Sequence, residues 1–202
     1  MITSMCNSYE HTIVITNRHL VQGDFLKQLE KVTKLRPHAL ILREKDLTDD
    51  AYESLAKKVF DLCEREDITF FLHTKIEIAR KIGCQNIHLS IPVLKGLSET
   101  EKKALTEDFC EISISCHSME DVEIAMAGGA TQIILGTIFE TECKKGVLGK
   151  GVEFVREICQ KCPLPVYAIG GMNLQRLHLV IDAGAAGCCM MSGFMQTTKP
   201  LQ

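Results

Sequence analysis

The sequence predicts an α/β fold of one kind, a (β/α)8 TIM barrel with a truncated final helix. Three observations point there. Short β-branched apolar runs alternate with longer amphipathic stretches from end to end, as repeated βα units around a parallel sheet require. Several of those runs, "HALIL", "QIIL" and "CCMM" among them, are almost continuously hydrophobic, which suits strands buried on both faces. Two helical stretches are followed by one phrase of small residues, "AGGA" at 127–130 and "AGAAG" at 183–187, so a single turn device is reused to re-enter the sheet.

Eight strands are expected, at 12–16, 38–43, 69–73, 86–89, 111–115, 132–136, 166–170 and 187–192. Helical spacing of apolar residues covers 24–35, 50–66, 74–82, 99–109, 118–127, 151–160 and 173–183. Thr48, Ser118 and Asn173 can each cap a helix by accepting from free backbone donors, and Glu120 and Asp121 follow Ser118 closely. After Ser192 and Gly193 only nine residues remain, so the eighth outer helix must be short and the seam beside the first unit thinly covered. A partner subunit would compensate, which leaves room for a homodimer. At 202 residues the chain sits near the lower limit for a closed barrel, and one domain spanning 1–202 is expected.

Composition narrows the function classes. Hydrophobic residues make up 46% and charged residues 24%, values of a globular chain. The net charge of −3 comes from 23 basic and 26 acidic residues mixed along the sequence, so no stripe for nucleic acid is expected. The first 16 residues lack a basic-plus-apolar leader, and no apolar run approaches the roughly 18 residues of a membrane span. A cytoplasmic location without a membrane partner is the expectation. Ten cysteines sit mostly in apolar runs, where a reduced thiol acts as a small hydrophobe. Cys159 and Cys162 form a CxxC on the face opposite the strand ends and read as structural rather than metal-binding.

Barrel sites form from the loops that follow the strands. His11 and His38 precede strands, His88 lies inside one and His178 within a helix, which leaves His19, His73 and His117. His117 ends the fifth strand just before Ser118, where a helix N-terminus favours a neutral imidazole able to carry a proton either way. The plain alternative is a histidine that only bonds a loop. Gly170 and Gly171 after strand seven, with Ser192 and Gly193 after strand eight, suit a phosphate held by backbone amides, although each pair alone would also make a turn. The loop at 136–151 carries Thr137, Thr141, Lys144, Lys145 and Lys150, which suit an anion as well as ordinary solvation. Arg43, in "LREKD", can grip a carboxylate or form a structural ion pair with Glu44 or Glu140. Lys45 and Ser115, at the same strand ends, complete the candidate substrate-binding set.

These residues carry a resemblance over almost the whole chain. "LREKD", "IHLS", "SCHSMEDVEIAMAGGATQIILGTIF", "PVYAIGGM" and "AGAAGCCMMSGF" resemble the thiamine phosphate synthase superfamily, and "FETECKKGVLGKG" is most similar to its TenI branch. That branch implies thiazole tautomerase activity. Departures from the synthase pattern favour the same branch: Ile41 stands where a Gln is usual, His73 and Thr74 replace an Asn-Asp pair, and "SIPVL" at 90–94 lacks a second Asp. Those Asp residues hold magnesium in a synthase, and a hard cation without oxygen ligands is not retained.

The resemblance implies a thiazole phosphate held by Gly170, Gly171, Ser192 and Gly193, with Thr141 and Lys144 beside it. The leading expectation is an isomerase that aromatises a carboxythiazole ethyl phosphate tautomer, with His117 as base then acid, Arg43 on the carboxylate, and no cofactor or metal. Two alternatives stand beside it. One is a thiamine phosphate synthase with an atypical metal site using Glu44 or Glu140; the other is a non-catalytic thiazole- or thiamine-phosphate-binding regulatory protein.

Overall fold

The computed structural model describes residues 8–141, 146 and 148–196. Eight parallel strands close a barrel in chain order: β1 (Thr12–Ile15), β2 (Ala39–Leu42), β3 (Thr69–His73), β4 (Asn86–Ser90), β5 (Glu111–Cys116), β6 (Gln132–Gly136), β7 (Val166–Ile169) and β8 (Gly187–Met190). β8 pairs with β1 through Ile13 and Cys189, which completes the ring. The (β/α)8 architecture is the one predicted, and β3 and β6 begin and end at the expected residues.

The outer layer comprises α1 (Phe25–Thr33), α2 (Asp49–Arg65), α3 (Ile76–Ile82), α4 (Ile91–Gly96), α5 (Glu99–Asp108), α6 (Met119–Ala127), α7 (Gly151–Lys161), α8 (Leu174–Ile181) and α9 (Ser192–Met195). Thr48, Ser118 and Asn173 cap α2, α6 and α8 as anticipated, each side chain accepting an N–H from the first turn. α4 was not anticipated. Pro92 sits in its first turn, where a missing N–H costs nothing, so "SIPVL" leaves β4 directly as helix.

α9 is the truncated eighth helix, a single turn, yet the seam beside it is not bare. Phe194 and Met195 are buried, the Tyr9 and Phe194 rings lie 5.8 Å apart, and Gln28 Nε2 donates to the Phe194 carbonyl at 2.6 Å. The expectation of a thinly covered wall is therefore corrected: the single turn places Phe194 and Met195 in the larger hydrophobic core.

Two cores follow from strand alternation. The larger lies between strands and helices, and a smaller one fills the barrel with Ile13, Ile15, Ala39, Ile41, Phe71, Ile134, Tyr167 and Cys189. On the β4 and β5 side the buried residues include His88 and Ser113, so that half of the wall is polar. The described cysteines are free, and burial pushes the Cys63, Cys116 and Cys188 thiols up to about 12. Cys162 is buried and Cys159 half-buried at the end of α7, away from the strand ends. No described helix is long and apolar enough to cross a membrane.

Candidate active site

A cavity of about 330 Å³ opens at the carboxyl ends of the strands. Isoleucines from four strands, Ile15, Ile41, Ile134 and Ile169, line its apolar part. Arg43, Lys45, His73, His88, Ser115 and His117 line one side; Thr137, Thr141, Gly170, Gly171 and Ser192 line the other. Of the expected site residues, Arg43, Lys45, Ser115, His117, Thr141, Gly170, Gly171 and Ser192 are thus brought together around one space. Gly193 is exposed in the first turn of α9 and is not in the lining. Lys144 and Lys145 lie outside the described residues. Lys150 turns elsewhere, donating to the His117 carbonyl and lying 4.5 Å from the centroid of the Phe154 ring.

The facing of the β2 end is decided by its neighbours. Thr16 Oγ1 donates to Glu44 Oε1 at 2.7 Å and accepts the Arg43 N–H at 2.9 Å. Glu44 also accepts from the Arg18 backbone and guanidinium at 3.1 and 3.0 Å. Asp46 is gripped by both terminal nitrogens of Arg18, which hold its carboxyl well below the usual range, and by His19 at 3.0 Å. Glu44 and Asp46 are drawn to Arg18, while Arg43 and Lys45 line the cavity. Of the two readings open for Arg43, the structural ion pair with Glu44 or Glu140 does not form among the described residues; Glu44 pairs with Arg18 instead. His19 is an exposed partner of Asp46 and takes no part in the cavity.

His73 and His88 face each other across β3 and β4, in register, with ring centroids 5.7 Å apart. Burial first, then Arg43 and Lys45, lower the His73 pKa to about 4. Burial, then His73 and Arg43, lower that of His88 to about 3. His88 is therefore neutral at pH 7, and its two nitrogens meet Ser113 Oγ and Ser115 Oγ, each at 2.9 Å. One nitrogen donates and the other accepts. Tyr52 supports this wall from α2: its hydroxyl donates to the Leu42 carbonyl at 2.6 Å and accepts the His73 N–H at 3.2 Å.

His117 Nδ1 lies 2.6 Å from the Gly136 carbonyl, so Nδ1 carries the proton and a neutral ring keeps Nε2 as an acceptor. Its backbone N–H donates to Asp121 Oδ2 at 2.7 Å. The opposite wall is made of backbone. Gly170 has φ +103°, and a Cβ there would lie 3.0 Å from the Ile138 nitrogen; at Gly171, φ +60°, it would lie 2.6 Å from the Glu140 carbonyl. Arg176 fastens this wall, donating to the Gly171 carbonyl at 2.6 Å while stacking 4.6 Å from the Phe139 ring centroid.

His88, Tyr52 and Arg176 were missed by reading strand ends alone. For His88 a signal existed: it is two residues before Ser90 on β4, so alternation sends both inward.

The synthase resemblance brings magnesium with it, and the donor set does not fit. Thr74, at the position of the expected Asp, donates its hydroxyl to the His73 carbonyl at 2.7 Å. No Asp or Glu lines the cavity among the described residues, and no group of three metal-ligating side chains occurs among them. Glu44 is consumed by Thr16 and Arg18, and Glu140 is not in the lining.

A family model described as thiamine monophosphate synthase matches residues 12–194. A thiamine-phosphate synthase of Coprothermobacter proteolyticus is 30% identical over 180 residues, 89% of this chain and 84% of that protein. One from Clostridium acetobutylicum is 29% identical over 195 residues, 95% of this chain and 89% of that one. Among solved structures, a thiamine phosphate pyrophosphorylase from Pyrococcus furiosus shares the fold, with a TM-score of 0.81, 22% identity, and coverage of 95% of this chain and 90% of that one. The relatives carry the synthase name. They overturn the expectation of a thiazole tautomerase, and isomerisation through His117 is withdrawn.

Proposed function

Because the chain belongs to the thiamine monophosphate synthase family, we propose that it is a transferase of thiamine biosynthesis that joins a pyrimidine diphosphate to a thiazole phosphate. The carrying observation is a cavity with two unlike walls suited to anions, cationic side chains at β2 and glycine backbone after β7, with an apolar part lined by isoleucines. A substrate with one phosphate needs one such wall. Two substrates, each with its own phosphate group, need both.

In this reading the thiazole nitrogen forms a bond to the pyrimidine's methylene carbon as the carbon–oxygen bond to the diphosphate breaks, and the electron pair leaves with the diphosphate. Arg43 and Lys45 receive that growing charge; a fixed cation that strengthens its contact as charge develops lowers the barrier. Gly170, Gly171 and Ser192 anchor the thiazole phosphate, assisted by Thr141. Ile15, Ile41, Ile134 and Ile169 exclude water from the reacting rings and hold them together. Ser115 and the His117 Nε2 acceptor orient ring substituents. No step requires His117 to carry a proton, and none is routed through a metal.

The test is direct. Purified protein incubated with both phosphorylated substrates should release thiamine phosphate and pyrophosphate in equal amounts, read by chromatography. Absence of product across a range of substrate concentrations overturns the reading.

A further inference from the structure

We propose that this chain holds the diphosphate of its substrate through Arg43, Lys45 and His73 alone, without a divalent cation; the inference rests on the synthase reading above. Three features of the β2–β4 wall carry it. First, a hard cation wants several oxygen ligands, and the described lining supplies no carboxylate. The nearby carboxylates are committed elsewhere, Glu44 to Thr16 and Arg18, Asp46 to Arg18 and His19. Thr74 is turned back on the His73 carbonyl, and the chain leaves β4 as helix at Ile91.

Second, the space is already positive. Arg43 and Lys45 line it with no carboxylate in the described lining beside them, and on top of burial, the main cause, both disfavour protonation of His73, with Arg43 also acting on His88. A field that resists a proton on imidazole also resists a bare divalent ion, whereas it attracts a trivalent or tetravalent anion. Third, the replacements are suited to the work. Arg presents a planar fork that matches two phosphate oxygens, Lys adds a point charge, and a neutral imidazole N–H is a donor that a carboxylate is not. A metal entering this site would be held by the diphosphate's own oxygens, so it would add little to the grip of the wall.

The experiment is calorimetric titration of the full chain with inorganic pyrophosphate, once with EDTA and once with excess magnesium, beside the product assay in both media. Binding in EDTA within about threefold of the magnesium value is expected. Arg43→Gln should weaken it by about 10–100-fold, the loss of a charge-assisted bond. Lys45→Gln, at an exposed position, is a second variant that leaves folding undisturbed and should weaken binding less. His73→Ala should also loosen binding in EDTA. Pyrophosphate binding that demands magnesium, or that ignores all three substitutions, overturns the inference. If product still forms with magnesium in that case, the synthase reading stands; if pyrophosphate fails to bind in both media and no product forms, both fall.

Discussion

The two walls of the cavity are built from different materials. The wall from β2 to β5 is made of side chains, Arg43, Lys45, His73, His88 and Ser115, and all but Lys45 are placed by a bond to Thr16, Tyr52 or each other. The wall after β7 and β8 is made of backbone, with Gly170 and Gly171 in left-handed conformations and Arg176 bracing the second. A side-chain wall loses its grip when atoms are removed, and its buried imidazoles make its stability sensitive to acid. A backbone wall is weakened by adding atoms. Anion binding at one end of the cavity should therefore fail under conditions that leave the other intact.

Acid is the strongest way to separate them. His73 and His88 have folded-state pKa values near 4 and 3, below the ordinary imidazole value near 6.5, so the unfolded chain binds more protons between these limits. Stability should rise with pH through that window and fall as pH drops from about 6.5 toward 4, with a slope of up to ~1.4 kcal/mol per pH unit for each imidazole. Urea titrations at a series of pH values measure this. His88→Gln should flatten the slope; an unchanged slope would show that the β3–β5 wall is not the acid-sensitive part.

Gly170→Ala should do the reverse. The new Cβ meets the Thr137 side chain at 2.5 Å and the Ile138 nitrogen at 3.0 Å, at a φ that L residues avoid. Thiazole phosphate affinity should fall about a hundredfold, roughly 2.7 kcal/mol, while pyrophosphate affinity stays within a few-fold. Equal losses of both ligands would erase the distinction between the walls. Tyr52→Phe is the mildest change. It removes the hydroxyl shared by the Leu42 carbonyl and the His73 N–H, which should lower stability by about 1–3 kcal/mol in denaturant titration and weaken pyrophosphate more than thiazole phosphate.

The barrel itself was legible because its signals are local. Continuous apolar runs marked the strands, and Thr48, Ser118 and Asn173 marked helix starts by the side-chain oxygens they offer to nearby N–H groups. α4 was missed because a six-residue helix beginning at Ile91 has too few turns to show a period. The Gly170-Gly171 pair was legible as well, since glycine takes left-handed backbone without a Cβ penalty, and both residues have positive φ directly after β7. Function at the level of reaction was misread: the absence of Asp residues suggested an isomerase, whereas the relatives are synthases.

The sequence by itself determined the alternation of eight strands with all the outer helices but α4, and the glycines that follow the last two strands, because each depends on residues a few positions apart. Only the tertiary structure decided which charges face the cavity. Glu44 and Asp46 could have lined it as easily as Arg43 and Lys45 until Thr16 and Arg18, more than 25 positions away, took the carboxylates. His73 and His88 likewise meet only because β3 and β4 pair in that register. Such choices belong to contacts between strands, where the energy of burying a charge or an imidazole depends on partners that no local pattern names.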